Sequence, residues 1–152
     1  MIYLAPFKIE DYDDVLPRLR AEDALAIQAF DKSEYRDRLL AMVDDCPIAT
    51  FNTEQGVAAI GGAVKVWEGV ASWWMLTSPL VNRFPKSFQK SCRDGITFMM
   101  ETYNLHRLEA AIPERHFISQ RWAESHGFVN EGLMRGHGPD GANHFRYARV
   151  EL

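Results

Sequence analysis

The order of patterns along the chain predicts an α/β fold: a mixed, mostly antiparallel sheet with helices on both faces, in one domain spanning 1–152. Three observations carry this expectation. Three β-rich runs, Pro47 to Phe51, Gly56 to Val66 and Val70 to Leu76, follow one another across short turns, as antiparallel neighbours do. A long amphipathic stretch, Ser87 to Tyr103, separates them from an apolar strand, Leu105 to Ile112. That strand leads into a helix with a Gly127-Phe128 stop and a further strand opening on Glu131-Gly132.

Ile2 to Ala5 is a short strand candidate. Glu10 to Arg20 reads as a helix, with Asp11 to Asp14 placing negative charge on its first turn. Ala21 to Phe30 and Lys32 to Val43 read as two further helices, ended by Asp44-Asp45-Cys46-Pro47 because the residue before proline avoids helical backbone. Asn52 to Gln55 and Glu68-Gly69 are the hairpin turns, and Gly61-Gly62 inside the second β-run suggests a bulge or a close backbone approach. In the long helix, Phe88, Cys92, Ile96, Met99 and Tyr103 define the core-facing side, with Lys86, Lys90, Arg93 and Asp94 off it. In the last helix Ile118, Trp122 and Ser125 to His126 fall on one stripe. Gly127 ends it because glycine tolerates the left-handed conformation past a final turn, and Phe128 anchors the chain's return to the sheet.

A 152-residue chain buries roughly 70% of its unfolded surface, enough for one complete core. Apolar residues at 47% and charged residues at 25% are those of an ordinary globular protein. A net charge of -4 argues against a general nucleic-acid or anionic-membrane binder, which carries a basic face. The N-terminus has no basic region followed by an apolar run, and no stretch reaches the ~18 consecutive apolar residues of a membrane span. A soluble, cytoplasmic protein is expected. Cys46 and Cys92 are far apart, without redox or metal spacing, and read as buried thiols. No His or Cys pair has zinc spacing, so no metal is expected; Gly-x-Ser-x-Gly, Walker and dinucleotide fingerprints are absent.

The run Asn104 to Arg149 resembles the C-terminal half of the GNAT superfamily of N-acetyltransferases, in particular the branch acting on ribosomal protein N-termini. Ser119, Arg121, Glu124, Gly127, Phe128, Glu131, Gly132 and Tyr147 match that branch, while His116 stands where it has Asn. The resemblance implies the GNAT fold and transfer of acetyl from acetyl-CoA to a primary amine of a small molecule, peptide or modified base. It implies cofactor contacts along Trp74, Met75, Leu76 and Thr77, and around the following helix start, where Arg83, Phe84, Lys86, Ser87 and Lys90 lie. An anion at a helix N-terminus meets free amides and a favourable dipole. The family's two loop glycines correspond to Pro85 and Ser87 here, and Pro85 removes an amide, for which Arg83, Lys86 and Lys90 would compensate by charge.

Of the catalytic groups, the superfamily's common tyrosine acid falls at Ala123, and the branch's serine falls at Ser119, the implied proton donor to the departing thiolate. Candidate bases are Glu68, His116, His137, Asp140 and His144, with His144 near the branch's aspartate; histidine titrates where an ammonium proton must be removed. Of Trp73 and Trp74, one belongs to the core and the other walls the acceptor site. A second resemblance, in Ala59 to Gly62, Leu76 to Ser78 and Phe84 to Lys90, is to small GNAT-like tailed-phage proteins of the internal virion protein A family. It implies an alternative, a non-catalytic binding or structural module, with a virion as its location. The acceptor is left open, nucleic acid and membrane partners are argued against, and a homodimer is a candidate assembly.

Overall fold

The computed structural model describes residues 1–21, 23–24, 32–43 and 48–152. Its sheet has seven strands, β1 (Tyr3–Pro6), β2 (Ile48–Thr53), β3 (Gly56–Trp67), β4 (Val70–Thr77), β5 (Arg107–Pro113), β6 (Val129–Met134) and β7 (His144–Val150), in the order β1-β2-β3-β4-β5-β7-β6. Every neighbouring pair is antiparallel except β4 with β5. The helices among the described residues are α1 (Ile9–Val15), α2 (Lys32–Met42), α3 (Leu80–Arg83), α4 (Pro85–Thr102) and α5 (Phe117–Ser125). The expected helix over 21–30 and its stop at 44–47, with Cys46, lie outside the described residues, apart from 21, 23 and 24.

Strand alternation sorts the core onto two faces. On one, Ile60 and Leu76 meet Tyr12 and Val15 of α1 and Leu39 of α2, with Trp74 and Tyr35 packed against them. On the other, Ala63, Trp73 and Leu108 meet Ile96, Met99 and Met100 of α4 and Ala123 of α5. Helices therefore cover both faces, as the patterning requires.

Several boundaries differ from the sequence expectation. The helix over 10–20 stops at Val15 and tightens into a 3-10 turn, Leu16–Arg18, because Pro17 cannot donate into an α-helical ladder. Tyr103 is the C-cap of α4 and exposed rather than in its core stripe, which instead takes in Ser91 and Met100. In α5 Ile118 is 69% exposed, and the fully buried position is Ala123. The β3 bulges do not sit at Gly61-Gly62, which hold regular register with Met75 and Trp74; they flank it, opposite Phe51/Asn52 and between Lys65 and Trp67. A Cβ on Gly61 would lie 3.1 Å from the Trp74 carbonyl, so close backbone approach is the reason for glycine there.

The Gly-Phe and Glu-Gly signals have direct structural causes. Gly127 adopts φ +82°, and Phe128, 2% exposed, packs beside Trp122. A register shift between Asn130 and Gly132 frees Glu131, which pairs with Arg107 at 2.5 Å and ties the edge strand β6 to β5. Tyr147, buried in β7, donates its hydroxyl to Glu124 Oε1 at 3.3 Å, fixing α5 to the sheet.

Leu108 lies at the point where both strand pairings of β5 and the α4 contacts converge, and it is fully buried. Leu108→Ala is expected to cost about 2–5 kcal/mol in urea denaturation. Leu133→Ala, on the exposed edge strand, should change stability by less than about 0.5 kcal/mol.

Candidate functional site

β4 and β5 share only three registered pairs, Val70 with Arg107, Ala71 with Leu108 and Ser72 with Glu109. Beyond Ser72 they diverge, and the gap between Trp73–Thr77 and Ala110–Pro113 opens into a cleft of about 780 Å³. Thr77 shows which backbone groups face that gap. Its amide donates to Asp23 Oδ2 at 2.9 Å, and its carbonyl accepts from the Arg20 amide at 2.9 Å, so both point away from β3. Backbone groups alternate in direction along a strand, so those of Met75 and Trp73 face the same way, into the gap. The Ser72–Glu109 rung uses the Trp73 amide, so the opening presents the Met75 rung and the Trp73 carbonyl.

Four of the expected cofactor positions, Trp74, Met75, Leu76 and Thr77, line the cleft. The remaining five do not. Arg83 donates to Gln55 Oε1 at 2.6 Å, Lys90 pairs with Asp94 at 2.6 Å, and Phe84 packs into the core beside Val81. Ser87 is structural: its hydroxyl accepts from the Ile2 amide at 2.7 Å and donates to the Ile2 carbonyl at 3.0 Å, pinning the N-terminus to α4. Lys86 is exposed and outside the lining. The residues of this segment that do line the cleft are Val81, Asn82, Pro85, Phe88 and Gln89, because α3 turns the amino end of α4 toward the gap.

Among the expected catalytic groups, Ser119, His116 and His144 meet in the cleft. Ser119 Oγ is not hydrogen-bonded to protein among the described residues, and His116, the N-cap residue of α5, makes no side-chain cap bond. His144 opens β7 and stands edge-on to His137 at 5.1 Å, whose pKa is lowered by burial and by His144 and Arg146. Asp140 is taken up in a turn, accepting from the Ala142 amide. Glu68 is at the wrong end: it caps the β3–β4 hairpin, six residues from Trp74, roughly 20 Å of extended chain. Its hydrogen bond from Lys65 lowers its pKa, which makes it a weaker base. Both tryptophans reach the cleft, Trp73 stacking on Trp122 and Trp74 on the face covered by α1 and α2.

The sequence reading missed the acidic and basic groups at the α1–α2 side. Asp23, 54 residues from Thr77, accepts both its amide and its hydroxyl (2.5 Å), and burial raises its pKa against the opposing pull of those bonds, Arg20 and His116. Tyr35 is pushed up to about 12 by burial and by Tyr12 and Asp23, so it stays protonated at neutral pH. Arg121 adds a cation from α5, with no ion pair among the described residues. An Arg20-x-x-Asp23 spacing was the only local signal, and it does not distinguish this pair from its acidic surroundings. Among the described residues no three His, Cys, Asp or Glu converge as a metal site, and no helix is long and apolar enough to cross a membrane.

Because the pKa of Asp23 is raised on folding, the native state gains stability when it takes up a proton. The gain is complete below the unfolded value and is lost as pH rises through the folded one. Asp23→Asn, which can still accept both Thr77 bonds, should raise the melting temperature at pH 8 and flatten its rise on acidification. Thermal melts from pH 4 to 8 would show this, and an unchanged pH profile would contradict it.

No protein-family model and no curated protein matches the sequence. Solved structures do. A ribosomal-protein-S5-alanine acetyltransferase from Vibrio fischeri superposes with TM-score 0.74 at 15% identity, covering 99% of this chain and 96% of that one. A GNAT-family acetyltransferase from Bacillus anthracis gives 0.75 at 15% identity, covering 98% and 94%. A spermidine N-acetyltransferase SpeG chimera from Vibrio cholerae and hSSAT gives 0.75 at 12% identity, covering 97% and 95%. With the splayed β4–β5 pair at its centre, the chain has the fold of the GNAT acetyltransferases.

Proposed function

We propose that the chain is an N-acetyltransferase that moves an acetyl group from acetyl-CoA to a primary amine. The observation that carries this reading is the gap between β4 and β5, where the Met75 rung and the Trp73 carbonyl open into the cleft that Ser119 also lines. Acetyl-CoA supplies an activated acyl thioester on an extended, amide-bearing arm, and a strand edge with free donors and acceptors is the complement of such an arm. The first-turn amides of α4, together with Lys86 and Arg121, supply positive potential for its phosphates.

The reaction forms a C–N bond at the acyl carbon and breaks the C–S bond. The attacking ammonium must first lose a proton, and Asp23 and His116 are the acceptors at that end of the cleft. A carboxylate whose pKa is raised by burial holds a proton better than a solvated one. Ser119, free of a protein partner among the described residues, donates to the departing sulfur and regains a proton from solvent.

Acetyl-CoA at millimolar concentration should raise the melting temperature of the protein. Ser119→Ala should then lower kcat by about 10²-fold or more with little change in KM for acetyl-CoA, since proton donation acts in the transition state. No thermal shift and no calorimetric heat would instead support the alternative, a module that keeps the fold without transferring.

A further inference from the structure

We infer that the amine acetylated here carries an anionic oxygen group beside its nitrogen, in its simplest form the carboxylate of an amino acid. The inference rests on the acetyl-transfer reading and concerns the other substrate. Three residues that line the cleft carry a buried N–H with no hydrogen-bond partner among the described residues: Trp122 Nε1 on the α4 and α5 side, and Arg20 Nε and Trp74 Nε1 together on the α1 and α2 side. Buried donors are nearly always matched in a folded protein, and the two unmatched ones on the Asp23 side of the cleft point to an acceptor brought in by a ligand.

Asp23 does not fill this role for Arg20. Its Oδ2 already accepts both Thr77 donors and stands 3.8 Å from Arg20 Nε, beyond hydrogen-bonding distance. The pair is held close enough to set a local field but is not closed. A carboxylate completes it: one oxygen reaches the guanidinium, the other the Trp74 indole, and the neighbouring ammonium faces Asp23.

The sheet enforces this arrangement. Arg20 and Asp23 follow α1, and Trp74 packs on the face that α1 and α2 cover, whereas Ser119 and Trp73 belong to the face of α4 and α5. The two substrates would therefore enter from opposite sides and meet in the gap. A diamine fits this end poorly, because it brings only donors to two donors and sets a second cation against Arg20. An amine amide offers a carbonyl oxygen but no charge.

The test is transfer from acetyl-CoA to matched pairs, the α-amino acids and short ω-amino acids against their carboxamides, with aliphatic diamines alongside, followed by CoA release. At least one acid should be used with kcat/KM about tenfold or more above its amide, because a site built for a charged acceptor rejects the analogue lacking it. Arg20→Gln should bring that ratio toward one, and Arg20→Lys should retain part of it. Trp74→Phe, which keeps the ring and removes the N–H, should lower the ratio independently if the Arg20 variants do not fold. Amides or diamines used as well as acids, a ratio that survives Arg20→Gln, or no turnover across the panel would overturn the inference. A thermal shift with acetyl-CoA in the same samples separates the two levels: a shift without acid preference removes this inference alone, and no shift removes the acetyl-transfer reading with it.

Discussion

Three rungs of parallel pairing, from Val70 to Ser72 on β4 and Arg107 to Glu109 on β5, join the two halves of the sheet. Antiparallel pairing builds β1 to β4 on one side and β5 to β7 on the other, and each is internally well paired. A sheet joined at one end only would close up, since unpaired strand edges seek partners. Here closure is opposed at specific points. The Arg20 amide and Asp23 occupy the Thr77 end of the edge, and the Trp73–Trp122 stack fills the base of the gap behind Met75. β5 ends at Pro113, which has no amide to offer.

This division puts stability and chemistry in different places. The apolar cluster around Leu108, Ile96 and Ala123 lies at the paired end, where it anchors β5 against α4 and α5. The groups with raised pKa values split accordingly. Cys92, pushed up to about 12 by burial, is fully enclosed and chemically quiet at neutral pH. Asp23 is raised by the same cause but lines the open cleft. Equal physics with different access leaves one group sealed in the core and the other open to the cleft.

The sequence made the fold legible because its strongest signals are local. Gly127, Phe128 and the Glu131-Gly132 opening each act within a few residues, through a left-handed turn, a buried anchor and a bulge. Signals set by distant partners were not legible. Ser87 and Arg83 look like phosphate contacts in the linear sequence, yet Ile2 and Gln55 claim them across 85 and 28 residues. Asp23 is held against Thr77, 54 residues on, where burial raises its pKa, and nothing in its own segment announces that burial. Pro17 was a local signal, and it shortened α1 as proline chemistry requires.

Pro85, Ser87 and Ala123, three positions where the sequence resemblance implies a departure from the GNAT pattern, can be argued from the packing around them. Pro85 sits at the first position of α4, where proline is favoured and an intrahelical amide bond is not formed, so the amides of Lys86 and Ser87 still face outward from the first turn. The Ser87 hydroxyl is spent on Ile2, which secures the helix start that a glycine would leave looser. Ala123 is fully buried against Trp73 and Phe128, and a tyrosine there would have to displace the core cluster that holds β5. Under the proposed acetyl transfer, a proton donor on this helix would come from a turn nearer the gap, on the same face. Four residues earlier on an α-helix is that position, and it holds Ser119.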